Sequence, residues 1–151
     1  MMRKLHAILI TDNPVINHLI SSNLHDFECI VMNSDDPNLI DNILGKNSDL
    51  IILGRTLKNK DGIDLCNSIN NRNKENNLKI LLIASDKKVG QQAIEEGANA
   101  FIHIPFKSEE LKRIVTELIT KKYTILLVED SKSIAKIISE SLIANNYKVH
   151  V

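Results

Sequence analysis

Between Ala7 and Ile119 the chain alternates short apolar runs with apolar residues at helical spacing, five times in succession, and few folds accommodate that pattern. The runs are Ala7–Ile10, Phe27–Met32, Leu50–Leu53, Ile80–Ala84 and Ala100–Ile104. Behind the first come Val15, Ile16, Leu19, Ile20 and Leu24; behind the second, Leu39, Ile40, Ile43 and Leu44. Ile63, Leu65, Cys66 and Ile69 follow the third, Val89, Ala93 and Ile94 the fourth, and Leu111, Ile114, Val115, Leu118 and Ile119 the fifth. Such runs, apolar apart from Glu28 and His103, suit strands covered on both faces, which is the condition of a parallel sheet with helices on each side. Punctuation agrees. Asn13-Pro14 suits a helix cap and first turn, Gly45 and Gly97 suit helix stops, and Ser108 with Glu109 and Glu110 suits a capped helix start. The expected fold is α/β: a (βα)5 doubly wound parallel sheet of flavodoxin-like order, with its functional residues at the carboxyl ends of the strands.

Composition removes several functions. Lys plus Arg and Asp plus Glu are 19 each, so a basic nucleic-acid binder is not expected. Aromatic residues make up 3% and Trp is absent, which excludes a base-stacking platform. Cys29 and Cys66 are too few for a disulfide framework and lie in apolar patterns, where small buried side chains are expected. His6, His18, His25, His103 and His150 have no zinc-ligand spacing. No apolar run reaches membrane-spanning length, and the N-terminal run meets Asp12 too early for a signal peptide, so a cytoplasmic location is expected. The five glycines form no GxGxxG phosphate loop, and no catalysis is expected within the chain.

Beyond Ile119 the pattern begins again. At a constant offset of 118, from Asp12 to Asp130, Ile16 matches Ile134, Leu19 matches Ile137, Ile20 matches Ile138, Ser21 matches Ser139 and Leu24 matches Leu142. A gapless match across strand, turn and helix is an internal repeat. The organisation expected is one domain over 1–121 and the β-α-β start of a second over 122–151. Some thirty residues bury no core of their own (roughly forty is the practical minimum), so the second copy is expected to be truncated or docked on a neighbour.

The turn residues resemble those of response-regulator receiver domains. ILLVEDSKSIAKII in the tail is similar to a receiver's first strand and helix, with the acidic pair Glu129 and Asp130. DLIILGRTLKNKDGIDLC (Asp49–Cys66) resembles the third strand, its loop and the Asp-Gly turn at Asp61-Gly62. EEGANAFIHIPF (Glu95–Phe106) resembles the surroundings of the fifth strand. The resemblance implies fixed chemistry. An acidic pair holds Mg²⁺, an Asp ending the third strand takes the phosphoryl group, and a Thr or Ser and a Lys read the modification.

Against that pattern the first copy is degenerate. Gly54 stands at the phosphoacceptor position, Ala84 at the Thr/Ser position and Ile104 at the Lys position. Thr11 and Asp12 stand for the acidic pair, leaving Asp12 as the residual acid, and Lys58 replaces the loop Pro. Phe101 occupies the aromatic switch position, where packing rather than switching is expected; His103 precedes Ile104 as a polar neighbour. The expectation is a phosphorylation-incompetent pseudo-receiver without a cofactor, beside a second receiver whose Glu129 and Asp130 would bind Mg²⁺ once completed beyond Val151. Its expected partners are proteins: itself, the adjacent receiver, and a cognate histidine kinase acting on the second receiver. Val89, Gln92, Ile94 and Glu95, with Lys112, Arg113, Thr116 and Glu117, would form the pairing face. The alternative is the regulatory front end of a diguanylate cyclase (GGDEF) or DNA-binding output protein.

Overall fold

The computed structural model describes residues 4–73, 78–120, 124–126, 131–144 and 148–150. The chain divides into two compact units, Met1–Ile119 and Thr120–Val151.

In the first unit five strands, β1 (Leu5–Ile10), β2 (Phe27–Val31), β3 (Leu50–Gly54), β4 (Lys79–Ala84) and β5 (Ala100–His103), form one parallel sheet in the order β2-β1-β3-β4-β5. Ala7 pairs with Cys29 on one side and Leu50 on the other, and Leu81 pairs with Ala100. This is the doubly wound order expected, and it places a topological switch point between the carboxyl ends of β1 and β3.

Alternating side chains divide the interior into two layers. Ile8, Ile10, Ile51, Leu53, Ile80 and Leu82 pack under α2 (Leu39–Gly45), α3 (Gly62–Arg72) and α4 (Val89–Glu95). Ala7, Leu9, Leu50, Ile52, Leu81 and Ile83 pack under α1 (Pro14–Asn23) and α5 (Ser108–Ile119). Strands β3 and β4, central in the order, are buried almost throughout.

The caps follow local chemistry. Asn13 accepts from the Val15 and Ile16 amides, with Pro14 opening α1. Gly97, at φ +110°, closes the turn after α4, and its amide reaches the Ile94 carbonyl. Several expectations shift. Gly45 is the last residue of α2, with Lys46 as its cap, and Ser108 is the first residue of α5. Because β2 is the sheet edge it is open on one side, so Cys29 is half-buried and Val31 exposed. On α1 the apolar stripe that packs inward runs through Ile16, Ile20 and Leu24, leaving Val15 and Leu19 exposed.

The second unit has β6 (Thr124–Leu126), α6 (Lys132–Ala144) and β7 (Lys148–His150), with β6 and β7 parallel. Ala135 is buried while Ile134, Ile137 and Ile138 are exposed. Its strand–helix–strand order repeats that of β1-α1-β2. Among the described residues no helix is long and apolar enough to cross a membrane.

Candidate functional site

The carboxyl ends of β1, β3, β4 and β5 surround a cleft of about 400 Å³ lined by Thr11, Asp12, Gly54, Arg55, Lys58, Ala84, Ser85 and Ile104 among others. The sheet order therefore brings together Asp12, Gly54, Ala84 and Ile104, the positions expected to be degenerate.

Asp12 follows β1 in a left-handed conformation, φ +57°, which Asp tolerates better than most residues. Its Oδ1 accepts from the Ser34 amide at 3.3 Å, and its Oδ2 accepts from the Ser34 hydroxyl and from the Lys58 amide at 2.9 Å. Burial alone would raise its pKa. The Ser34 hydroxyl, the two amides and the Lys58 charge outweigh that and hold the carboxyl below its ordinary value. Ser34 is fully buried, and Asp12 satisfies its hydroxyl there. The contact follows from register: Leu9 pairs with Val31, and three residues further along the chain from each, past the strand ends, lie Asp12 and Ser34.

Thr11 turns into the protein. Its hydroxyl lies 2.6 Å from the Asn17 side-chain oxygen and accepts from the Asn13 amide at 3.2 Å. Thr11 and Asn17 are both buried, and the pair fastens the β1–α1 turn to the first turns of α1.

Gly54 ends β3 with its backbone buried. A Cβ there would meet Thr11 Cα at 3.2 Å, the Thr11 carbonyl at 3.5 Å and a Leu57 methyl at 3.6 Å. The following loop folds back on itself. Arg55 continues the ladder through its amide to the Ile83 carbonyl at 2.8 Å, Thr56 bridges Asp61, and the Gly62 amide donates to the Arg55 carbonyl at 2.7 Å. A Cβ on Gly62 would overlap the Gly54 carbonyl oxygen. Asp61 caps α3 through the Ile63 amide and lies 3.5 Å from Arg55 Nε, which has no hydrogen-bond partner among the described residues. The Asp-Gly turn is therefore required by the close return of this loop to the end of β3.

On the far side of the cleft, Ala84 presents only a methyl group, and the Ile104 amide donates to the Ala84 carbonyl at 2.8 Å. Ile104 packs partly into the layer under α1 and α5. Phe101 packs on the opposite layer, close against Gly90 of α4. His103 Nε2 lies 2.9 Å from the Ser85 carbonyl and ties β5 to the β4–α4 loop. Glu129 and Asp130 lie outside the described residues.

The donor set does not fit Mg²⁺ in the first unit. That ion takes hard oxygen ligands in near-ideal octahedral geometry. The single carboxylate, Asp12, is already taken by three donors, Thr11 Oγ1 is bonded inward, and Gly54 offers no side chain. Among the described residues no group of three or more His, Cys, Asp or Glu side chains is placed to hold a metal. The thiols are not activated nucleophiles either. Burial pushes Cys29 up, and burial with Glu96 nearby pushes Cys66 up to about 11.

Sequence reasoning missed Ser34, Asn17 and Arg55. Ser34 follows β2 in a polar loop, and only the β1–β2 register would have singled it out.

Comparison with known proteins places these features. The model of the response regulator receiver domain matches residues 7–116. A hybrid signal transduction histidine kinase D of Dictyostelium discoideum is 24% identical over 139 residues, covering 91% of this chain and 9% of its own length, so the chain spans a small part of that relative. A putative response regulator from Chloroflexus aurantiacus superimposes with a TM-score of 0.71 at 20% identity, over 79% of this chain and 100% of that one. A probable two-component response regulator/GGDEF domain protein gives 0.68 at 19%, over 77% and 49%. With five parallel strands in receiver order and a matching family model over most of its length, the chain belongs to the response regulator receiver domain family.

Proposed function

We propose that the first unit is a phosphorylation-silent receiver that serves two-component signalling as a protein-interaction module. One observation carries this reading: the residue ending β3 at the centre of the cleft is Gly54, and a glycine cannot form an acyl phosphate. The losses at Ala84 and Ile104 support it, because a phosphoryl group there would find neither a hydroxyl nor an ammonium to hold it. In this reading the chain carries no catalysis, and the first unit takes no metal. It works in the cytoplasm, away from nucleic acid and membrane.

Its partners are proteins. On α4 and α5, Gln92, Ile94, Glu95, Lys112, Arg113, Thr116 and Glu117 are exposed and carry both charge signs, which suits register-specific pairing with a second copy or an adjacent receiver. Val89, the first residue of α4, does not belong to this face, because its side chain is buried in the core. The unit Thr120–Val151 is read as the start of a second receiver. Glu129 and Asp130 would hold Mg²⁺ in its completed form, and a histidine kinase would address it.

The test is intact-mass spectrometry of the chain after treatment with acetyl phosphate and Mg²⁺. The expected mass is unchanged; a phosphoryl adduct mapped to the first unit overturns the reading. A second reading makes the chain the regulatory front end of a diguanylate cyclase. The likeness to the response regulator/GGDEF protein favours it, and sequencing the gene past the Val151 codon tests it.

A further inference from the structure

We propose that Ser34 and the main-chain amide of Lys58 replace a cation at Asp12, so that three loops at the carboxyl edge of the sheet are tied together without metal. This rests on the silent-receiver reading and assigns a task to the one acid left in the cleft.

The residues have the right chemistry. An ionised carboxylate must be neutralised or well solvated when partly enclosed, and a divalent ion or several donors can do this. Here the donors belong to the chain. Both come from other loops: Ser34 follows β2 and Lys58 follows β3, while Asp12 itself follows β1. One carboxylate therefore joins three connections that the sheet topology merely places side by side.

The donor at position 58 depends on residue type. The family resemblance puts a proline there, and proline has no N–H. Lysine restores the amide, which donates to Asp12 Oδ2 at 2.9 Å, and its side-chain charge further favours the ionised acid. Ser34 contributes twice, through its amide and its hydroxyl, and is shielded from water by complete burial. The left-handed backbone at Asp12 belongs to the same arrangement. Gly54 and Thr11 complete the case by what they withhold: neither offers a second carboxylate with which Asp12 could share an ion. Substitution at 58 and retention of Asp12 are thus two halves of one arrangement.

The experiment uses the whole chain, labelled with ¹⁵N, and follows amide shifts and hydrogen exchange. Adding millimolar Mg²⁺ is expected to leave the Ser34 and Lys58 amides unmoved, and the Lys58 amide is expected to exchange slowly. In Asp12→Gly, which keeps the left-handed backbone accessible, Lys58 exchange should quicken by about tenfold or more, while the Ile52 amide in β3 stays protected. Saturable Mg²⁺ shifts at Ser34 and Lys58 in the unaltered chain overturn the proposal, and that arm needs no variant to fold. Unchanged Lys58 exchange in a folded Asp12→Gly also overturns it. Neither result bears on phosphorylation, so the proposal can fail while the mass measurement still supports a silent receiver.

Discussion

Gly62 and Gly54 lie one on the other, yet they differ in what they would tolerate. A Cβ on Gly62 would collide with the Gly54 carbonyl, a backbone atom of the residue that ends β3, so the strain has no outlet through a side chain. Gly62→Ala is expected to cost about 3 kcal/mol in urea denaturation; a loss below ~1 kcal/mol would show that the loop relaxes more freely than its packing suggests. At Gly54 the nearest contacts, at 3.2 to 3.6 Å, ask only for small shifts. Gly54→Asp should therefore fold with a modest loss, ~1–2 kcal/mol. It should still fail to bind beryllofluoride tightly, because Ala84 and Ile104 give the fluorides no hydroxyl or ammonium. Tight binding by that single variant would show that the nucleophile was the only loss that mattered.

Asp12 supplies the acid-sensitive contact. Burial acts to raise its pKa, but the Ser34 and Lys58 donors and the Lys58 charge bring the folded value below the unfolded one. A depressed carboxylate stabilises the fold above its unfolded value of 3.8, and that contribution is lost as pH falls through the lower folded value. Asp12→Asn, which tolerates the left-handed backbone, should cost about 1 kcal/mol at neutral pH. In denaturation curves taken at successively lower pH, its difference from the unaltered chain should shrink below the ordinary carboxylate value. A gap constant with pH would mean that packing, not charge, is what the substitution removes.

At the scale of elements, all five strands and five helices of the first unit were legible because their periodicities are strong and uninterrupted. Ile51–Leu53 and Leu81–Ile83 read as strands covered on both faces, and the structure buries them there. Periodicity does not report position within the sheet. Phe27–Met32, apolar but for Glu28, forms the edge, and Cys29 is half-exposed for that reason. On helices the pattern overstates the buried stripe: Val15 and Leu19 fit the spacing on α1, but the sheet is covered by Ile16, Ile20 and Leu24. The site shows the same division. The places of Gly54, Ala84 and Ile104 were readable, since each lies at or just past the end of a recognisable strand. Ser34 and Asn17 were not, because their roles depend on register and on a turn that folds a buried hydroxyl back onto a helix.

The whole chain divides unequally. Among the described residues, every buried hydrophobic side chain but Ala135 falls within the first unit, which holds both core layers. Residues 1–121 alone should unfold cooperatively, with a Tm within about 4 °C of the full chain, the shift that about 1 kcal/mol produces in a domain of this size. A non-cooperative melt would show that the second unit completes the first. The remaining surface question is the α4–α5 face. Ile94, 46% exposed, sits on α4, while Lys112, Arg113 and Glu117 line α5, where Arg113 and Glu117 pair at 3.3 Å. Such an exposed pair adds little to stability, so its value would lie in choosing a partner. If this face pairs copies, sedimentation of the full chain should show a concentration-dependent dimer that Ile94→Asp combined with Arg113→Glu converts to monomer, without change in Tm beyond a degree or two. Acetyl phosphate with Mg²⁺ should not alter the dimer fraction contributed by this unit, since Gly54 has nothing to phosphorylate. A chain that stays monomeric at high concentration would remove self-association from its role and leave the adjacent receiver as the partner of that face.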